Sequence, residues 1–256
     1  MYKRGQATLF IILGIVLVVI IVLLFTTKTI ELPRRSVESS QLSPVRDYVE
    51  QCIDEIANEW IYLLGQNGGS VISSSQSVRF KGFNIAYLCY SPTGTKDDLS
   101  CYHDNLKEKM EKNLAEYVKS NLGNCLVGLD ESFQNRDISQ TLKSVDVIIS
   151  DYRVALVVEM PLEIRRGNEV ISMDKFTKIV EVPLGKLTDV AAEITEQSVE
   201  RWPYHPNIDA FISRNLGLVK ISIDKDDWTK SNIYVLKIDG EENKFEFKFA
   251  LGVGVI

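Results

Sequence analysis

Residues 7 to 26, ATLFIILGIVLVVIIVLLFT, form an unbroken apolar run preceded by Lys3-Arg4-Gly5-Gln6. A helix of about 20 residues at 1.5 Å rise spans the roughly 30 Å hydrocarbon core of a bilayer. From Leu9 to Phe25 every residue is Leu, Ile, Val or Phe except Gly14. On transfer scales, such a segment favours insertion by roughly 5 to 10 kcal/mol. The run therefore predicts a transmembrane helix, with Leu9, Phe10, Ile11, Ile12, Leu13, Ile15, Leu17, Ile20, Ile21 and Leu24 as its anchoring side chains. Its rival is a secretory signal peptide, whose apolar core is normally about 7 to 15 residues and ends at a small-residue cleavage site. Here Thr26-Thr27-Lys28-Thr29-Ile30 follows instead.

Orientation is weakly encoded by charge, because Lys3 and Arg4 stand before the span while Lys28, Arg34 and Arg35 stand after it. Two further observations set the expectation, the handful of residues before the span and the placement of the cysteines. Cys52, Cys89, Cys101 and Cys125 all lie downstream in an even number, as in chains that fold in an oxidising compartment. The N-terminus is expected to be cytoplasmic, and the C-terminal part extracytoplasmic.

Lys3-Arg4-Gly5-Gln6 followed at once by the apolar stretch resembles the class III signal peptide of archaeal type IV pilin-like proteins. The resemblance implies that a membrane-embedded prepilin peptidase cuts between Gly5 and Gln6, leaving the helix to anchor the mature protein and to pack with like subunits. Many type IV pilins carry Glu at the fifth mature position, where this chain has Phe10. A looser likeness covers most of the chain. Tyr48-Val49-Glu50-Gln51-Cys52-Ile53, Leu64-Gly65-Gln66-Asn67-Gly68-Gly69, Tyr117-Val118 with Cys125-Leu126, and Phe247-Lys248-Phe249-Ala250 together resemble a group of archaeal single-span membrane proteins, which brings no known activity with it.

Residues 1 to 36 hold five Lys or Arg and one Glu, so of the net charge of −6 the rest of the chain carries −10. An acidic module of this kind is a poor partner for nucleic acid, and the surface charge serves solubility. Residues 27 to 43 read as a polar tether broken by Pro33 and the run from Ser36 to Ser43. The fold class expected beyond it is α+β, an antiparallel sheet with packed amphipathic helices, in two sequence parts: 44–129 with the cysteines, and 141–256, mainly strands. Asp130 to Gln140 is the polar gap between them.

Ser43-Pro44 reads as an N-cap and first helical residue. Val45, Tyr48, Val49, Cys52, Ile53, Ile56, Ala57, Trp60, Ile61 and Leu64 then recur at three- and four-residue steps until Gly65 or Gly68-Gly69. Residues 77 to 90 read as a strand pair or one long bent strand, with Gly82 as a bulge or turn. Leu106, Met110, Leu114, Tyr117, Val118 and Leu122 mark a second helix ending near Gly123. After Ser144 come two strands divided near Ser150-Asp151, a Gly167-Asn168 turn and a strand through Phe176 to Val182. A helix follows from Asp189 to Val199, a short helix over 207–214, and strands at Leu218–Ile223, Ile233–Ile238 and Phe245–Ala250.

Of three cysteine pairings, Cys52 with Cys125 and Cys89 with Cys101 is preferred. The first joins two helices that can pack on one sheet, and the second closes a short loop. No CxxC spacing or histidine cluster points to a metal, and His103 and His205 are the only histidines. Neither HExxH, GxSxG nor a phosphate-binding glycine loop occurs. Asp224, Asp226 and Asp227 lack the glycine and distal Glu of a calcium loop, and Glu159 and Glu163 are unpaired in sequence. No enzyme activity and no cofactor is expected. The expectation is a membrane-anchored surface protein in contact with lipid, either a pilin-like structural or adhesive subunit or a non-polymerising module that binds a protein or glycan. An ectoenzyme ranks third.

Overall fold

The computed structural model describes residues 39–70, 76–129, 133, 137–166, 169–201, 218–226, 229, 231–240 and 245–253. The anchor at 7–26, the Gly5-Gln6 junction, His205, the helix expected over 207–214 and Asp227 lie outside the described residues. No helix among those described is long and apolar enough to cross a membrane. The chain divides into two units, Met1–Ser43 and Pro44–Ile256, and the fold below is that of the second.

The described residues form three helices and ten strands in an α+β arrangement. The first helix, α1 (Ser39–Gln66), begins before its expected start and carries Pro44 inside it. Proline removes one backbone donor, but Val45 and Val49 beside it are fully buried, and that packing holds the turn. Gly68 and Gly69 end the helix with positive φ of 71° and 78°, and the Gly69 amide donates to Leu64 O at 2.8 Å. Gly65 lies inside the helix and serves close packing, since a Cβ there would lie 2.6 Å from the Glu246 carbonyl.

Strands β1 (Ser77–Phe80) and β2 (Phe83–Ser91) form a hairpin with Phe80 opposite Phe83. Its two-residue turn, Lys81-Gly82, has φ of 47° and 91°, the pattern that matches strand twist. The two-residue β3 (Ser100–Cys101) extends the β1 side of β2. Helix α2 (Leu106–Leu126) buries Leu106, Met110, Leu114, Val118, Leu122 and Leu126 in one stripe. It runs past Gly123, where the sequence pattern placed its end, because Leu126 still faces the core.

The second half opens with β4 (Asp137–Gln140), β5 (Ser144–Ser150), β6 (Arg153–Arg166) and β7 (Glu169–Glu181). Long β6 pairs with β7 on one side and with β5 and β4 in line on the other, all antiparallel. Strand β4 was not expected, since its residues are polar and mostly exposed. Helix α3 (Leu184–Glu200) starts five residues before the predicted position. Gly185 permits this, because a Cβ there would meet Ser150 O at 2.4 Å, and the Lys186 amide donates to Asp151 O at 3.0 Å.

The chain closes with β8 (Val219–Lys225), β9 (Asn232–Ile238) and β10 (Phe247–Val253). Here β10 pairs antiparallel with β9 and parallel with β2, giving the order β1-β2-β10-β9-β8. Strands from both sides of residues 130–140 therefore share one sheet.

Helix α3 lies between the two sheets and touches β2, β9 and β10 of one and β5 and β6 of the other. A helix covered on both sides has little room for polar groups without partners. Thr188, Thr195 and Ser198 are buried, and each donates its hydroxyl to the carbonyl four residues back at 2.7 Å. Lys107 on α2 reaches Asp189 on α3 at 2.6 Å, and Lys178 on β7 reaches Asp54 on α1 at 3.2 Å.

Candidate functional site

All four cysteines are paired, Cys52 with Cys125 and Cys89 with Cys101. The first bond joins α1 to α2, and eight residues along each helix Trp60 stacks on Tyr117. Tyr48 donates its hydroxyl to Cys125 O at 3.1 Å and packs edge-on against Phe133. Burial, with the Glu59 charge, raises the pKa of the Tyr117 phenol. This half of the cysteine set cross-links the core.

The second bond joins two neighbouring strands of the sheet. Cys89 on β2 and Cys101 on β3 are direct cross-strand partners with Cα atoms 4.1 Å apart. The loop between them folds around Asp98, whose carboxylate accepts from Ser91 Oγ, from the Thr93 amide at 2.8 Å and from Thr95 Oγ1 at 3.5 Å. Those bonds, that from Ser91 foremost, hold the Asp98 carboxyl below the usual range. Two residues past Cys101, one imidazole nitrogen of His103 lies within 4.8 Å of both sulfurs. Its Nε2 faces Asp104 Oδ1 at 3.5 Å, while Nδ1 is buried with no hydrogen-bond partner among the described residues. The Tyr102 amide donates to Leu88 O at 2.7 Å, fixing the backbone that carries His103. Sequence reasoning left His103 apart from the cysteines, although Cys101-x-His103 spacing was the available signal.

The other sequence candidates go elsewhere. Asp224 pairs with Lys81 at 3.0 Å, whereas Asp226 accepts from the amide and hydroxyl of Thr229 at 2.7 and 2.6 Å. The two carboxylates therefore serve separate partners. Glu163 pairs with Arg165 at 3.2 Å, and Glu159 sits opposite Ser144 and Lys175 in the sheet.

Two clusters escaped the sequence. The hydroxyls of Tyr87, Ser231 and Thr229 run in a chain to Asp226, with spacings of 2.6, 2.9 and 2.6 Å. It pins the turn between β8 and β9 onto β2. In the second cluster Glu246 contacts Lys237 at 2.5 Å and Lys248 at 3.0 Å, and Lys248 also donates to Gln66 Oε1. Burial raises the Glu246 pKa, and the bonds from both lysines more than offset it, so the carboxyl stays below its ordinary range. Both clusters join partners far apart in sequence.

Comparison of the chain with protein-family models, with curated proteins and with solved structures found no match.

Proposed function

We propose that this chain is a single-span surface protein, with residues 7 to 26 in the membrane and the disulfide-bonded α+β unit on the extracytoplasmic side, acting as a pilin-like structural or adhesive subunit. The observation that carries the reading is the complete pairing of the cysteines. Structural disulfides belong to oxidising compartments, and the apolar run supplies the means of staying at the cell surface. Membrane lipid is then one partner, and prepilin peptidase and like subunits are the others.

The test uses intact cells. Added protease should reach residues beyond the span, and mass spectrometry of the native N-terminus should find Gln6 first. Retention of Met1 to Gly5 in cells possessing prepilin peptidase removes the pilin-like part of the proposal. A tail shielded from protease in intact cells, yet cut after lysis, removes all of it.

One observation favours a second reading, a monomeric tethered binding module. On the outward face of the β5–β6–β7 sheet, Ile148, Ala155 and Ile179 stand in one cross-strand row, with Ile148 58% and Ile179 47% exposed. Arg153 and Glu181 flank the row on one side and Asp146 on the other, and an exposed apolar row of this kind suits a binding partner. Electron microscopy of labelled protein on cells separates the readings, since filaments are expected only from the first.

A further inference from the structure

We propose that the β2–β3 clasp is a redox-gated metal site, in which Cys89, Cys101 and His103 hold one soft divalent cation of the Zn2+ class once their disulfide is opened. Three ligands of the right kind already converge, with one donor atom from each lying within 4.8 Å of the others. In tetrahedral zinc sites, metal–sulfur distances of about 2.3 Å set the sulfurs about 3.8 Å apart. Side-chain rotation on the existing backbone supplies that separation after the S–S bond is cut.

The histidine carries the argument. Its Nδ1 is buried and has no hydrogen-bond partner among the described residues, an arrangement that costs free energy unless something binds there. Its Nε2 faces the Asp104 carboxylate at 3.5 Å. Metal-bound imidazoles commonly present their second nitrogen to a carboxylate in this way, which fixes the ring. Charge agrees as well. Cys89 is fully buried, and two thiolates with one divalent cation make a neutral group, the kind a buried position accepts. Cys101 and His103 are only partly buried, leaving the fourth position open to water.

Gating follows from the chemistry. A dithiol attacks the disulfide, passes through a mixed disulfide and leaves as a cyclic disulfide, so the Cys89–Cys101 bond breaks while the dithiol is oxidised by two electrons. The two thiols formed then lose their protons to solvent as the cation binds. Exchange with the same cyclic disulfide runs both steps backwards: its S–S bond is reduced to the dithiol, the two cysteines are oxidised to the Cys89–Cys101 bond, and the metal is expelled.

The test uses the full-length protein in detergent, reduced with a phosphine without oxygen and titrated with Co2+. The expected result is one cobalt per chain with a thiolate charge-transfer band, absent from the oxidised protein and retained when Cys52→Ser and Cys125→Ser are combined. His103→Gln should weaken binding by at least about tenfold. Failure of the reduced protein to take up cobalt, equal affinity in His103→Gln, or loss of the band in the Cys52/Cys125 variant each overturns the proposal. Should reduction cost the chain its helical circular dichroism, refolding reads the same point. Cobalt-dependent recovery in the parent but not in His103→Gln supports the site, and recovery indifferent to cobalt overturns it.

Discussion

Trp60 and Tyr117 lie face to face, their ring centroids 3.7 Å apart and their planes within 10°. The stack sits eight residues from Cys52 on one helix and eight residues from Cys125 on the other. Equal spacing in opposite sequence directions means that α1 and α2 run antiparallel. At 1.5 Å per residue the bond and the stack are two clasps about 12 Å apart. Because aromatic pairs contribute about 0.5 to 1.5 kcal/mol beyond their buried area, a double-mutant cycle of Trp60→Ala and Tyr117→Ala should give a coupling of about 1 kcal/mol in urea unfolding. A coupling near zero would mean that the stack does not stabilise the pair.

The two disulfides should differ in weight. Chain-entropy reasoning gives about 4.4 kcal/mol for the Cys52–Cys125 loop and about 2.8 kcal/mol for the shorter Cys89–Cys101 loop, whose sequence separations are 73 and 12. Replacing each pair by serine should lower the urea midpoint more for the first. An equal or reversed order would show that native packing, not chain entropy, sets their contributions.

What the sequence revealed was local. The stripes of α1 and α2 follow from periodicity within a few residues and were legible, whereas Gly82 marked a turn or a bulge, and the pairing of Phe80 with Phe83 decides for the hairpin. The parallel pairing of β2 with β10 was not, because nothing in Phe83–Ser91 or Phe247–Val253 marks a neighbour more than 150 residues away. A register shift between Ala250 and Leu251, opposite Tyr87 and Cys89, brings the Tyr90 ring to 4.9 Å from Tyr87. Simple alternation puts those two tyrosines on opposite faces. Strand β4 was hidden for another reason, since an edge strand with one intermediate and three exposed residues shows no apolar pattern. At the site, the cysteine pairing was legible from helix faces and loop length, but the approach of His103 depends on how β3 leaves the sheet.

Tyr234 makes stability fall in alkali. It is fully buried, stacks on Phe249 at 4.9 Å, and its hydroxyl has no hydrogen-bond partner among the described residues. Burial pushes its pKa up from 10.0 to about 12. Above pH 10 the unfolded chain loses this proton while the folded chain keeps it, so the unfolded state binds fewer protons and stability declines until about pH 12. The decline is roughly 3 kcal/mol at about 1.4 kcal/mol per pH unit. Tyr234→Phe should flatten the difference over that window and leave neutral-pH stability equal or higher. A parent and variant with parallel alkaline profiles would refute this.

Glu246 acts at the opposite end of the pH scale. Its folded pKa lies below the ordinary 4.5 because Lys237 and Lys248 stabilise the carboxylate. The stabilisation is therefore fully present above the unfolded pKa and fades as pH falls through the folded one. Comparing the parent with Glu246→Gln, the stability gap should be constant near neutrality and close below about pH 4. A gap that persists at pH 2 would assign the effect to packing instead.

Gly252 on β10 should tolerate no side chain, although its neighbours give no sign of this in sequence. A Cβ there would lie 2.4 Å from Tyr87 Cε1 and 2.5 Å from Ser231 Oγ, against both side chains whose 2.6 Å hydroxyl–hydroxyl bond starts the hydroxyl chain. Tyr87 packs in a cluster with Val78, Ile85, Ile233 and Ala250, and Ser231 is fully buried, so neither can swing clear. Gly252→Ala must push them apart, and overpacking of this kind costs about 1 to 3 kcal/mol. The added methyl and the broken bond can be told apart. Tyr87→Phe alone removes the bond while leaving the space, and in the Tyr87→Phe background Gly252→Ala should still be destabilising because the ring remains in the way. If the alanine becomes harmless there, the hydroxyl pair and not the ring is what excludes a side chain at 252.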